Sequence, residues 1–246
     1  KRDFERAIDL YRKALEYHPE SGDLHGRLGS LFYQMGRVDQ AIPELETAVK
    51  LKEDSKLYGN LGVAVSSKGQ VQRAIECYEK AIQLDSSNAE AHYNLGNLYL
   101  AQDKPAQAAD EYVKAIKAKP NYSKAYGNLG LALSFMGKYE DAVEKFRNAI
   151  NLDPNNVEAR FNLAAAIADK GLIDEPVEQL RKILELLPDN NSVKDNLSAL
   201  LLQKTQIEQA IAQYEQFLQV NPNDTVAQEG LKKAKEALAI AQSRSQ

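Results

Sequence analysis

Five asparagines stand 34 residues apart, at Asn60, Asn94, Asn128, Asn162 and Asn196. A primary amide offers N–H donors and a carbonyl acceptor. A peptide backbone offers one of each per residue, so such an amide can bind an extended chain whatever its side chains. Other sets of reactive residues lack this regularity. His18, His25 and His92 have no metal-ligand spacing. Cys77 lies beside Tyr78 and reads as packing, not as a nucleophile, and a lone cysteine forms no internal disulfide. Paired carboxylates such as Glu44 and Glu46 read as a solvated surface, and no Gly-rich phosphate loop is found. The residues therefore predict no enzymatic activity, no cofactor and no metal.

Composition narrows the partners. The chain has 246 residues, 43% hydrophobic and 27% charged, with a net charge of -4 spread over interleaved signs. Without a basic block, nucleic acid is not expected. Apolar runs such as Leu197 to Leu202, broken by Ser198, fall far short of the ~20 residues of a membrane span. The single cysteine fits a reducing compartment, and a cytoplasmic location is the expectation.

Three further series run in register with the asparagines. They are Ala74, Ala108, Ala142, Pro176, Ala210; Tyr78, Tyr112, Phe146, Leu180, Tyr214; and Ser86, Pro120, Pro154, Pro188, Pro222. A fixed period of this length marks a repeat architecture. Small residues such as Gly62 and Gly96 let two helices approach closely, and the aromatic four residues after the alanine fills the gap beside the contact. Gly36, Gly69, Gly137 and Gly171 suit left-handed helix ends. The prolines end the second helix of each unit.

This pattern resembles the tetratricopeptide repeat family. Residues 123–156 carry its motif as Leu129-Gly130, Leu133, Ala142, Phe146, Ala149 and Pro154. The resemblance implies an all-α, right-handed superhelical solenoid of antiparallel helix pairs, a helix A and a helix B per repeat. Residues 1–21 are then a lone helix B, full repeats occupy 22–54, 55–88, 89–122, 123–156, 157–190 and 191–224, and 225–246 hold a capping helix with Val226, Leu231, Ala234 and Leu238 on its apolar face. The unit 22–54 is one residue short. Pro43 predicts a kink or a delayed start in a helix capped by Asp39. Pro176 predicts a late start capped by Asp174, and Asp103 before Pro105 fits the same logic.

The resemblance also implies that helix A lines the inner wall of the superhelix and that the asparagine position faces the groove. The series is similar to the asparagine ladder in the repeat region of O-linked N-acetylglucosamine transferases, which grips extended peptide backbones. Repeats spaced by ~10 Å and a ligand rising ~3.3 Å per residue would bring an asparagine to about every third ligand residue. Tyr93, Asn97, Leu100, Leu131, Phe135, Phe161 and Ala165 surround the ladder and suit hydrophobic ligand side chains. Lys56 and Lys124 are too isolated for a carboxylate clamp. The candidate peptide-binding set is Asn60, Asn94, Asn128, Asn162, Asn196, Tyr93, Asn97, Leu131 and Phe161. The expected partner is a protein or peptide with an extended or amphipathic-helical segment. Two alternatives stay open: the asparagines could brace neighbouring helices, and the protein could be a self-associating scaffold using its open N-terminal edge or convex face.

Overall fold

A computed structural model describes residues 2–244. Among the described residues there are thirteen α-helices and no strands. They are α1 (Arg2–Tyr17), α2 (Gly22–Gln34), α3 (Val38–Leu51), α4 (Ser55–Ser67), α5 (Val71–Leu84), α6 (Ala89–Ala101), α7 (Pro105–Ala118), α8 (Ser123–Phe135), α9 (Tyr139–Leu152), α10 (Val157–Ala168), α11 (Asp174–Leu186), α12 (Asn191–Val220) and α13 (Thr225–Gln242). The chain divides into two compact units, residues 1–132 and 133–246.

Local chemistry sets the helix ends. Side chains of Ser21, Asp54, Asn88, Asn156, Asn190 and Asp224 accept bonds from backbone N–H groups in the first turn that follows. Each satisfies a donor that the helix itself leaves unpaired. The turn from helix A to helix B needs one left-handed residue. Gly36, Gly69, Gly137 and Gly171 supply it with φ of 74°, 73°, 73° and 81°. Asp103 takes the same position with φ 58°, a conformation that disfavours side chains other than Asn and Asp.

In the first unit, α2 pairs with α3, α4 with α5 and α6 with α7. A Cβ on Gly62 would lie 2.6 Å from Tyr78, and one on Gly96 2.7 Å from Tyr112. The glycines therefore let the aromatic of helix B lie directly on helix A. Ala74, Ala108, Tyr78 and Tyr112 are buried around these crossings. A polar latch joins the pairs. His92 on α6 meets the Glu111 carboxylate on α7 (Nδ1, 2.6 Å) and the Ser86 carbonyl (Nε2, 3.2 Å). His25 repeats it with Glu44 (2.7 Å) and the Pro19 carbonyl (3.0 Å).

In the second unit, α10 packs on α9 and α11, and α12 on α11 and α13. Arg147 pairs with the buried Glu175 at 2.9 Å. Arg160 reproduces the latch, donating to the Pro154 carbonyl (2.9 Å) and to Gln179 (2.6 Å).

The structure corrects the sequence reading at several places. Residues 191–224 do not form a hairpin: α12 runs unbroken through 30 residues. The position that needs a left-handed residue is Thr205, whose branched side chain opposes that conformation. Its hydroxyl donates to the Leu201 carbonyl one turn back (3.0 Å), and the helix continues. Asp39 is not a cap. The helix α3 already starts at Val38, and Asp39 pairs with Lys68 at 2.8 Å, so Pro43 delays nothing. Asp174 is the first residue of α11 rather than its cap, and Asp103 is a turn residue, not a cap. On α13 the buried residues are Ala227 and Ala241, while Val226 is 79% exposed.

Candidate ligand-binding face

All five ladder asparagines occupy the sixth residue of their helix, in α4, α6, α8, α10 and α12. Equal placement does not give them equal surroundings. In the first unit, Asn60 donates to Ser30 Oγ on α2 (3.1 Å). Asn128 donates to Asn97 Oδ1 (2.8 Å) and to Tyr93 Oη (3.3 Å) on α6. Asn97 Oδ1 also accepts from Tyr112 Oη at 2.8 Å. Tyr93 in turn packs against Tyr112 and Tyr122, with centroids 5.9 and 5.0 Å away. Burial pushes the Tyr112 hydroxyl well above its ordinary range and Tyr122 up to about 12.

The distinction has a simple origin. Ser30 and Asn97 lie three residues past the ladder position of the preceding helix A, counting Arg27 as the ladder position of the short first repeat. Where that place is polar, the next asparagine braces against it. Beneath Asn94 it is Val63, and beneath Asn196 it is Ala165. Val63 and Ala165 have no side-chain acceptor, and the amides of Asn94 and Asn196 make no hydrogen bond among the described residues. The same holds for Asn162, which is half-buried.

Other candidate residues fall into separate groups. Tyr93, Asn97 and Asn128 form one network. Leu131 is half-buried on α8, and Phe135 on the same helix is 64% exposed. In the second unit, Phe161 and Asn196 line one pocket of about 230 Å³ with Ala164, Ala165, Ala168 and Leu200. Asn196 is exposed at this apolar hole. A second cavity, about 630 Å³, lies in the first unit between α1, α2 and α4, and its lining includes Phe4, Tyr11, Arg27, Ser30 and Asn60. Sequence reasoning missed the bracing partner Ser30, which lies three residues past Arg27 on the preceding helix A.

No group of three or more His, Cys, Asp or Glu side chains among the described residues could hold a metal ion. None of the described helices is long and apolar enough to cross a membrane.

Comparisons agree with this architecture. Models described as tetratricopeptide repeat match residues 1–62, 89–122, 111–144 and 193–224, and one described as TPR repeat matches 62–103 and 136–171. A crystal structure of MamA is 31% identical, with 62% of this chain and 90% of that one covered, at a TM-score of 0.57. YrrB, described as a TPR protein with an unusual peptide-binding site, is 21% identical over 76% of this chain and 96% of its own, at 0.61. The C-terminal part of a TPR repeat-containing protein from Cytophaga hutchinsonii is 19% identical over 93% and 95%, at 0.65. No curated protein matches the sequence.

Proposed function

The chain belongs to the tetratricopeptide repeat family, whose fold serves protein–protein interaction, and we propose that it is a non-catalytic module that holds an extended peptide segment on its helix A face. The observation that carries this reading is Asn196. The residue is exposed, its amide makes no bond within the described protein, and it lines a mostly apolar pocket. An amide beside an apolar hole can take a backbone group and the neighbouring side chain of a ligand together. Asn162, half-buried on α10 in the same unit, offers a further amide. Asn60 and Asn128 act instead as braces that hold neighbouring helices in register.

Panning a library of random peptides against the whole protein supplies ligands, which are then titrated by calorimetry. Asn196→Ala is expected to weaken the selected peptides about 3- to 10-fold, the value of one hydrogen bond. Ala165→Leu fills the pocket and is expected to abolish binding of peptides with a large apolar residue. Unchanged affinity in both variants, with helicity intact, defeats the reading.

A further inference from the structure

Residues 193–224 match a tetratricopeptide repeat, yet residues 193–220 lie in a single unbroken helix. The matching residues are those a hairpin would use. Ala210 and Tyr214 stand in register with Ala74 and Tyr78 and with Ala108 and Tyr112, and Ser198 supplies the small residue opposite. In the closed pairs, Tyr78 meets the glycine 16 residues before it, and so does Tyr112. Tyr214 has found the glycine 16 residues after it. A Cβ on Gly230 of α13 would lie 2.5 Å from the Tyr214 ring. Tyr78 and Tyr112 are 2% and 0% exposed, whereas Tyr214 remains 36% exposed.

The far end of α13 occupies what the missing helix B would cover. Ala241 is fully buried with Ile173 and Val177, and Leu197, Leu200 and Ile207 pack around them. Leu197 and Leu200 stand at the positions of Leu61 and Ala64, which are buried in the core of the first unit. Backbone N–H of Ile173 donates to the Ala241 carbonyl at 2.9 Å. Thus α13 and residues 207–220 are two candidates for one seat.

We propose that residues 191–224 have two packings, the straight helix and a closed hairpin, and that Thr205 together with α13 holds the straight one. Closing requires a left-handed residue at 205. Five earlier turns have one, at 36, 69, 103, 137 and 171, and threonine opposes it. Closing also requires α13 to leave its seat. The exchange would bury Tyr214 as its counterparts are buried, and would free the α13 face carrying Ala227, Leu231, Leu238 and Ala241. The device is thus a C-terminal helix released when the last repeat closes.

Spin labels on cysteines replacing the exposed Lys194 and Gln219, in a Cys77→Ala background, read the two states in the whole protein. A straight helix separates positions 25 residues apart by about 37 Å. A hairpin places them on adjacent helices, about 10–20 Å apart. With Thr205 in place the long distance is expected to dominate. Thr205→Gly removes the steric opposition and is expected to raise the short-distance population roughly tenfold, whereas Thr205→Ala, a good helix former, keeps the long distance. Ala241→Glu unseats α13 without touching the turn and is expected to shift the population the same way. Long distances alone in both Thr205→Gly and Ala241→Glu overturn the proposal. So does a short distance already dominant with Thr205 present, or an equal response to glycine and alanine at 205.

Discussion

Asparagine inside a helix is worse than alanine by up to ~0.7 kcal/mol, and the five ladder residues offset this in different ways. Asn128 donates to both Asn97 and Tyr93. Asn128→Ala is therefore expected to destabilise the protein by about 1 kcal/mol, after the gain in helix propensity is set against the lost bonds. Asn94, half-buried with Val63 at the bracing position before it, has no such bond to lose. Asn94→Ala is expected to stabilise by a few tenths of a kcal/mol. Urea titration of the two variants gives midpoints moving in opposite directions, and a shared direction refutes the division into braces and free amides. Asp103 has the opposite problem. With φ 58° it carries a side chain where four other turns have glycine. Asp103→Gly is expected to raise the urea midpoint, by about 0.5–1 kcal/mol in stability; a lower midpoint would show that the side chain contributes something the turn needs. The ladder itself was legible in the sequence because a period of 34 survives without knowledge of contacts. The split within it was not, because bracing depends on a residue of the preceding repeat, which only the packing brings near.

At the scale of elements, helix starts at Ser55, Ala89, Ser123, Val157 and Asn191 coincide with the boundaries read from the period. The latch between paired helices was missed, because histidine was weighed only as a metal ligand. Position four of helix A holds His25, His92 or Arg160, and each bonds a carbonyl six residues earlier and a helix B side chain 19 residues later. This latch makes the α6–α7 pair sensitive to acid. Burial pushes the Glu111 carboxyl up, but hydrogen bonds from His92 and Lys114 outweigh it and hold the group below its ordinary value of 4.5. A carboxylate with a depressed folded value contributes stability above the unfolded value, and loses it as pH falls through the folded one. Glu111→Gln is therefore expected to be less stable than the parent at pH 7, with the difference narrowing below about pH 4.5. Thermal melts from pH 7 to pH 3 test this, and a gap that stays constant across the series removes Glu111 from the acid response. The straight α12 was missed for a different reason. The family pattern at 193–224 counts packing residues, whereas the turn depends on one backbone angle at Thr205.

Across the whole molecule, stability in stacked repeats is approximately a sum of each repeat and its contacts with neighbours. Damage at one crossing should then stay local. Gly96→Ala places a Cβ 2.7 Å from Tyr112, and overpacking of this kind costs typically 1–3 kcal/mol. Helices α6 and α7 hold the affected crossing and lie in the first compact unit. Amide hydrogen exchange of the variant is expected to speed up through α6 and α7, less in α4 and α5, and not in α10 and α11. The neighbouring response measures the coupling between repeats, because α5 packs on α6. An equal loss of protection along the entire chain would contradict this additive picture. The peptide in the binding experiment would then face one cooperative body, and the loss of affinity in Asn196→Ala would have to be separated from a global change in stability before it counted as a lost contact.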